Sequence, residues 1–404
     1  MKVLIAMDSF KGNLSSMEAS EAVARGIRRG CPRVETRLLP IADGGDGTVE
    51  AFVTALHGQK KSGTVRDPLG NPVTASWGLM PDKSAVIELA AASGLTLVPL
   101  HRRNPLRTST FGTGQQILAA LDEGCRTIVL GLGGSATNDG GMGILSALGA
   151  RFLDSAGQEL PPVGASLAHV QELDVSGLDP RLNSTEIVLA CDVRNPLCGA
   201  QGAAMVYGRQ KGASQKSAAL LDAGLERFAG VIRRATGKDV LHMPGGGAAG
   251  GAAAGLAGLV NAAPVSGIEL MVRVLNLDRE LRRADAVFTG EGRIDSQTSQ
   301  GKVIHGLAAH AKAAGVPLIA LVGCIRGPVA PLMSMGLTAV FATAPGPCTV
   351  SQSFQRSRED LERTASQVIR VIYASRCRRF SRAGAKRDTP RPISAAVATK
   401  NNCR

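Results

Sequence analysis

The 404-residue sequence has few aromatic residues and no long apolar run. Phe, Trp and Tyr make up 3% of the chain, which argues against an all-β protein and against a nucleic-acid binder that stacks bases on aromatic rings. No apolar stretch approaches the ~18 residues of a membrane span, and the N-terminal run 3–7 is too short for a secretory signal. We therefore expect a soluble, cytoplasmic protein with no membrane partner.

Familiar metal and nucleotide motifs are also missing. The eight cysteines include no C-x-x-C pair and none near a His at metal-binding spacing, so we expect reduced, structural thiols. The sequence contains no G-x-x-x-x-G-K-[ST] and no clean G-x-G-x-x-G after a strand. A nucleotide site, if present, therefore belongs to neither common class.

Positive charge is concentrated at the C-terminal end. The formal net charge is +13, and residues 376–404 carry nine Lys or Arg against a single Asp. This segment has neither helical nor strand periodicity, so we expect a basic disordered tail over 376–404. For such a tail, a solvated state is favoured over binding to nucleic acid, which stays open as the alternative.

Glycine is abundant, with 49 residues, and the 44% apolar content suffices for a large α/β core. The glycine-rich stretch 127–143 reads as a buried strand, a loop and a helix start, and its backbone can approach a ligand closely. Free N–H groups at the helix start would face an anion. A tight turn without a ligand is the alternative. The predicted cofactor-binding residues are Gly133, Gly134, Ser135, Thr137 and Asn138.

Polar and charged residues follow several predicted strands. Because parallel strands end at one edge of a sheet, where ligands bind, we expect these residues to form a site. Carboxylates serve as metal ligands or bases, a lysine pairs with phosphate, and an arginine captures a carboxylate. Helix caps and surface ion pairs are the alternative interpretation. The residues are Asp8, Ser9 and Lys11, then Asp43 and Asp46, then Asp192, and finally Arg293 and Asp295.

The order of elements predicts two α/β domains. Strand–helix units occupy both ends of the chain, whereas the middle begins with a hairpin over 63–77. We predict a Rossmann-like parallel-sheet domain over 1–60 and 280–375, and an inserted mixed α/β domain over 61–279. Whether the segment 100–150 packs with the first or the second domain is left open. The stretch 244–255 is either a second close-approach loop or a small-residue helix packed on a neighbour.

Five motifs, in order, resemble those of bacterial glycerate kinases of the type 1 family, and the resemblance covers residues 1 to about 372. It implies ATP-dependent phosphorylation of D-glycerate, with 2-phosphoglycerate as the favoured product, on one split Rossmann-like domain and one inserted domain. Asp46, Gln115 and Ile304 depart from the residues expected in many relatives. The motifs are Met7–Gly12, Ala42–Thr48, Gly131–Gly140, Ala190–Pro196 and Gly290–Ser296.

Phosphoryl transfer from ATP needs phosphate donors, a divalent metal and a group that activates the acceptor hydroxyl. With ATP and Mg²⁺ as cofactors, the predicted roles are as follows. The predicted catalytic residues are Lys11, Asp192 and Asp295. The predicted metal ligands are Asp192 and Asp295. The residues predicted to bind glycerate are Asp8, Ser9, Asp43 and Arg293. A kinase for a related small hydroxy acid, a kinase that gives 3-phosphoglycerate, and a non-catalytic ligand sensor with a nucleic-acid-binding tail are the alternatives; the oligomeric state stays open.

Overall fold

The computed structural model describes residues 1–39, 41–42, 44–45, 47–295 and 303–385, with 376–385 described as backbone only. The strands are β1 (Lys2–Met7), β2 (Glu35–Leu38), β3 (Gln59–Arg66), β4 (Pro72–Leu79), β5 (Ser84–Glu88), β6 (Thr127–Gly131), β7 (Arg151–Leu153), β8 (Glu172–Asp174), β9 (Glu186–Ala190), β10 (Ala262–Val265), β11 (Ala286–Gly290), β12 (Arg293–Ile294), β13 (Leu318–Val322), β14 (Cys324–Ile325) and β15 (Leu337–Ala342). The α-helices are α1 (Ser16–Gly30), α2 (Thr48–Leu56), α3 (Leu89–Ser93), α4 (Phe111–Asp122), α5 (Met142–Ala147), α6 (Ala203–Tyr207), α7 (Gln215–Thr236), α8 (Ala248–Leu259), α9 (Gly267–Val274), α10 (Leu277–Arg283), α11 (Val303–Ala314), α12 (Ala330–Met335) and α13 (Val350–Ala385). Short 3₁₀ turns cover Leu95–Leu97, Leu100–Arg102, Gly164–His169, Pro180–Ser184 and Arg209–Lys211.

Both ends of the chain contribute to the first sheet, whose strand order is β15-β13-β11-β1-β2. All of its neighbouring strands are parallel. The runs of Val, Ile, Leu and Phe in β1, β11 and β13 match a parallel sheet covered on both faces. Helices α1 and α13 cover one face, and α9, α10 and α11 pack on the other.

The middle of the chain forms the second sheet, in the order β10-β9-β6-β5-β4-β3. Strands β5, β6, β9 and β10 are parallel, whereas the hairpin of β3 and β4 and the β4–β5 pair are antiparallel. Helices α4, α5, α7 and α8 contribute to the core on one face. The predicted fold class, a parallel sheet split in sequence and an inserted mixed sheet, is confirmed.

A shared apolar cluster joins the two sheets. It contains Leu4 and Val287 of the first sheet together with Val86 and Val129 of the second. Helix α2 packs on β4 and β5, and α9 packs with α10 and α11. The exact division of the chain into two domains remains a prediction; these contacts group α2 with the second sheet and α9 with the first.

Some local predictions are wrong. The sequence pattern predicts a strand over 85–90, but this strand ends at Glu88, and α3 begins at the next residue. The sequence pattern also predicts a strand over 157–160, but these residues form no strand and pair only through a single bridge between Leu153 and Glu159. The sequence analysis predicts no strand at β10, which contains Pro264; β10 lies at the edge of its sheet, where proline is tolerated. Helix α13 continues to Ala385, and residues 386–404 of the predicted tail lie outside the described residues.

Candidate functional site

A cavity of about 940 Å³ lies where loops from both sheets meet. The loop after β1 contributes Lys11, and the glycine-rich loop after β6 contributes Gly133, Gly134 and Ser135. The loop after β9 contributes Asp192 and Arg194. Strands β1, β6 and β9 all present their carboxyl ends here, as expected for ligand sites in parallel sheets.

Glycines after β6 allow two backbones to pack closely at the cavity. A side chain at Gly131 would overlap the carbonyl of Gly44, and a Cβ at Gly133 would lie 2.7 Å from the Cα of Gly45. The N–H of Gly133 donates to the Gly44 oxygen at 3.3 Å. These glycines therefore bring the 44–45 turn of the first sheet against the second, besides forming the cavity wall.

Contrary to the prediction, the N–H groups at the start of α5 are not free to face an anion. Asp139 is fully buried and accepts hydrogen bonds from the N–H of Gly141 at 3.2 Å and of Gly143 at 3.1 Å. It also accepts from the N–H and hydroxyl of Thr110, both at 2.8 Å, and the Thr110 hydroxyl accepts from the N–H of Ile144. The protein itself therefore uses these helix-start donors. Burial raises the pKa of Asp139, against the effect of these hydrogen bonds.

The predicted cofactor-binding residues divide into two groups. Gly133, Gly134 and Ser135 line the cavity. Thr137 and Asn138 are fully buried, and neither belongs to the described cavity lining. Their side-chain polar atoms have no hydrogen-bond partner among the described residues. The loop therefore meets the cavity with its first half and packs into the core with its second.

Lys211 is a functional candidate that the sequence reasoning missed. The side chain is 3% exposed and lines the cavity. Its Nζ donates to the hydroxyl of Ser135 at 2.8 Å and to the carbonyl of Thr137 at 2.7 Å. Burial lowers the pKa of Lys211 to about 7, although the nearby carboxylate of Asp139 favours the charged form. The only sequence signal was a lysine in a short turn between Gly208 and Gly212.

Asp192 lies in the cavity wall with an orientation fixed by α9. Its Oδ1 accepts from the hydroxyl of Ser266 and from the N–H of Gly267, both at 2.8 Å. The N-terminus of α9 thus holds a carboxylate that follows a strand of the other sheet. The position agrees with the predicted strand-end location; its predicted catalytic and metal-binding roles remain proposals.

The edge of the first sheet holds two further predicted residues. Asp8 is 3% exposed, its N–H donates to the carbonyl of Gly290 at 2.9 Å, and its Oδ1 accepts from the N–H of Ser9. Ser9 is also buried, and its hydroxyl has no hydrogen-bond partner among the described residues. Asp43 and Asp46 lie outside the described residues.

Arg293 and Asp295 form a pair with each other. The guanidinium donates through Nε at 3.1 Å and through Nη2 at 2.9 Å, both to Oδ2 of Asp295. Arg293 is 55% exposed and Asp295 is 19% exposed, and neither appears in the described lining of the cavity. A Cβ on Gly292 would lie 3.9 Å from the N atom of Lys11, so the pair flanks the loop that carries Lys11.

The stretch 244–255 follows the packing alternative in its second half. Side chains at Gly250 and Gly255 would overlap the carbonyls of Thr137 and Gly140. Residues 249–251 have left-handed backbone angles, and among them Ala249 has φ 51° although it carries a side chain. Ala248 and Ala249 line the cavity. This segment therefore supports the glycine-rich loop from behind and reaches the site at its N-terminal end.

No helix in the described residues is long and apolar enough to cross a membrane. Within the same ranges, no three His, Cys, Asp or Glu side chains are grouped to hold a metal ion.

The fold and the cavity define an α/β protein whose site, lined by Lys11, Lys211 and Arg194, suits an anionic ligand. A profile of the Glycerate kinase family matches residues 3–373. Glycerate kinase of Halalkalibacterium halodurans is 45% identical, over 91% of this chain and 97% of its own. Glycerate 2-kinase of Escherichia coli is 44% identical, over 92% of this chain and 98% of its own.

A solved structure agrees with these sequences. The crystal structure of a Salmonella typhimurium LT2 protein, assigned as glycerate kinase 2, superposes with a TM-score of 0.82 at 44% identity. The match covers 93% of this chain and 99% of that one. The chain therefore belongs to the glycerate kinase family and is a phosphotransferase that acts on an alcohol group. The resemblance seen in the sequence motifs is confirmed.

Proposed function

We propose that this protein transfers the γ-phosphoryl group of ATP to the C2 hydroxyl of D-glycerate, giving 2-phospho-D-glycerate. The cavity carries the proposal: its cationic side chains and its side-chain-free wall at Gly133 and Gly134 fit a polyphosphate, and Asp192 lies in the same wall. The name of the Escherichia coli relative favours C2 over C3. A cytoplasmic location stays a prediction from the sequence.

The nucleotide is assigned to the part of the cavity formed by the glycine-rich loop. Gly133, Gly134 and Ser135 allow close approach of phosphate to backbone, and Lys11 adds a positive charge from the first sheet. Thr137 and Asn138 support this wall from the core rather than contact the ligand. The exposed backbone of this wall and the charge of Lys11 together fit the triphosphate of ATP.

Mg²⁺ is assigned to Asp192 and Asp295. This ion is commonly held by one or two protein carboxylates together with phosphate oxygens and water, so a group of three protein ligands is not required. When bound, Mg²⁺ neutralises charge on the phosphoryl oxygens. Asp192 is held in place by α9, and Asp295 is held by Arg293.

Glycerate is assigned to the edge of the first sheet. Asp8, Ser9 and Asp43 are proposed to bind its hydroxyl groups, and Arg293 its carboxylate. Arg293 uses Nε and Nη2 on Asp295, which leaves Nη1 for the substrate. Asp192 or Asp295 then accepts the proton of the attacking hydroxyl.

The test is phosphorus NMR of the products formed from ATP, Mg²⁺ and D-glycerate. We expect the resonance of 2-phosphoglycerate, turnover about 100-fold slower in Asp192→Asn, and full turnover in Asp239→Asn, a control at an exposed position. Formation of 3-phosphoglycerate would refute C2 as the phosphorylated position but would leave glycerate as the phosphoryl acceptor. Folded protein that phosphorylates another small hydroxy acid, and not glycerate, would refute the proposed substrate.

A further inference from the structure

Lys211 holds the glycine-rich loop with only part of its donor capacity. An ammonium group has three N–H donors. Two of them bind the hydroxyl of Ser135 and the carbonyl of Thr137. Among the described residues the third has no hydrogen-bond partner, and Lys211 lines the cavity. When Lys211 is protonated, one N–H donor is therefore left for a group that enters the cavity.

The surroundings of Lys211 lack a direct anionic partner. No carboxylate in the described chain forms a salt bridge with it, and its two acceptors are neutral oxygens. Asp139 acts on it through space, from the core side of the loop, where its own oxygens bind Thr110, Gly141 and Gly143. Burying a charge without a paired anion is costly. A neutral donor such as glutamine would tie the loop at lower cost, so structural support alone does not account for a lysine.

Two anions of the proposed reaction could supply the missing charge, a phosphoryl group and the glycerate carboxylate. Ser135, which Lys211 contacts, lies in the wall formed with Gly133 and Gly134, where a ligand meets backbone rather than side chains. Such a wall suits phosphate, which lysine binds as a point charge. The planar fork suited to a carboxylate is a property of arginine.

We propose that Lys211 binds a phosphoryl oxygen of the nucleotide through the N–H that Ser135 and Thr137 do not use. It is then a second phosphate-binding lysine, besides Lys11, and it belongs to the inserted part of the chain. Contact between Lys211 and Ser135 also makes the shape of the glycine-rich wall dependent on the bound phosphate. This assignment rests on the proposed use of ATP.

The test compares Lys211→Met with the control Lys216→Met, whose lysine is exposed on α7. Calorimetry measures the affinities for ATP, for inorganic tripolyphosphate and for D-glycerate separately. Loss of a charge-assisted hydrogen bond is expected to weaken both phosphate ligands by about tenfold to a hundredfold. Glycerate affinity should change less than about twofold on the same scale, and the control should bind as wild type.

A second readout separates phosphate binding from support of the loop. At pH 8, a bound phosphate should restore the proton to Lys211, so ATP binding to wild type should take up protons that Lys211→Met does not take up. Binding enthalpies in two buffers of different ionisation enthalpy measure this uptake. Lys211→Gln, which keeps a donor for the loop but has no charge, replaces the Met variant if that variant does not fold.

The outcomes distinguish this inference from the proposed function. Equal affinity of wild type and Lys211→Met for tripolyphosphate, or equal proton uptake, would overturn the role of Lys211. Weaker glycerate binding with unchanged ATP binding would assign Lys211 to the carboxylate instead and would also overturn it. ATP binding that depends on Lys211, in a protein that does not phosphorylate glycerate, would refute only the substrate. Failure of wild type to bind ATP would refute both.

Discussion

Lys211 makes the stability of the protein depend on pH. Burial lowers its pKa from the ordinary 10.5 to about 7. Between these values the unfolded chain binds more protons than the folded protein, so the free energy of unfolding rises with pH in this window. A difference of one bound proton between the unfolded and folded states changes the free energy of unfolding by about 1.4 kcal/mol per pH unit. The side chain is 3% exposed, so solvent screens this effect little.

From pH 7.5 to 8.5, we expect wild type to gain about 1 kcal/mol of unfolding free energy relative to Lys211→Met. Urea unfolding at both pH values measures this difference, and comparison with the variant cancels the titration of cysteines and tyrosines. Lys216→Met should follow wild type. Parallel pH dependence of wild type and Lys211→Met would contradict the lowered pKa.

Asp139 organises the glycine-rich loop from the core side. Its two carboxylate oxygens accept four hydrogen bonds, from Thr110, Gly141 and Gly143. An amide in Asp139→Asn replaces one acceptor oxygen with a donor, and we expect a loss of about 2–3 kcal/mol in the free energy of unfolding. Asp122→Asn, which changes an exposed partner of Arg181, should cost less than about 1 kcal/mol in the same urea titration. Similar losses in the two variants would mean that the four bonds do not carry this stability.

At the scale of single residues, the sequence predicted where side chains lie in the fold better than it predicted which groups they contact. Asp8 and Asp192 were placed correctly at the carboxyl edges of strands, because parallel strands end together and the acids directly follow apolar runs. Lys211 was missed because a lysine in a single turn has no periodicity to reveal burial. The N–H groups at the helix start in the glycine-rich stretch were expected to face an anion, yet the carboxylate of Asp139 already accepts hydrogen bonds from them.

Helix α8 shows how an element made of small residues positions the site. A side chain at Gly255 would overlap the carbonyl of Gly140, whereas a Cβ at Gly230 of α7 would meet only the end of Arg234 at 3.7 Å. Gly255→Ala should therefore lower stability, by about 1–3 kcal/mol from overpacking. Gly230→Ala should raise it by about 0.5–1 kcal/mol, because alanine has less freedom in the unfolded chain.

Thermal or urea unfolding of the two glycine variants tests this difference in sign. The substitutions are chemically identical and both lie within helices, so a shared sign would show that helix propensity, rather than contact with the loop, decides the outcome. The glycine count alone indicated either a ligand loop or tight packing for 244–255. These two alternatives are distinguished only by which atoms lie against each glycine, and those atoms depend on the tertiary structure.

At the scale of the whole molecule, the two sheets are expected to unfold together. Leu307 of α11 is fully buried in the cluster that also contains Val86 and Val129 of the second sheet. Leu307→Ala should lower the free energy of unfolding by about 2–5 kcal/mol through the cavity that it leaves. The single tryptophan, Trp77, is buried in β4 of the second sheet and reports on that sheet.

If the shared cluster makes unfolding cooperative, Leu307→Ala shifts the transition seen by Trp77 fluorescence as far as the one seen by far-ultraviolet circular dichroism. Leu220→Ala, at a position 52% exposed on α7, should shift neither by more than about 0.5 kcal/mol. A fluorescence transition that stays in place while the circular dichroism becomes biphasic would show two independent units. The cavity between the sheets would then join bodies that fold separately, and the division predicted from the order of strands and helices would also hold for stability.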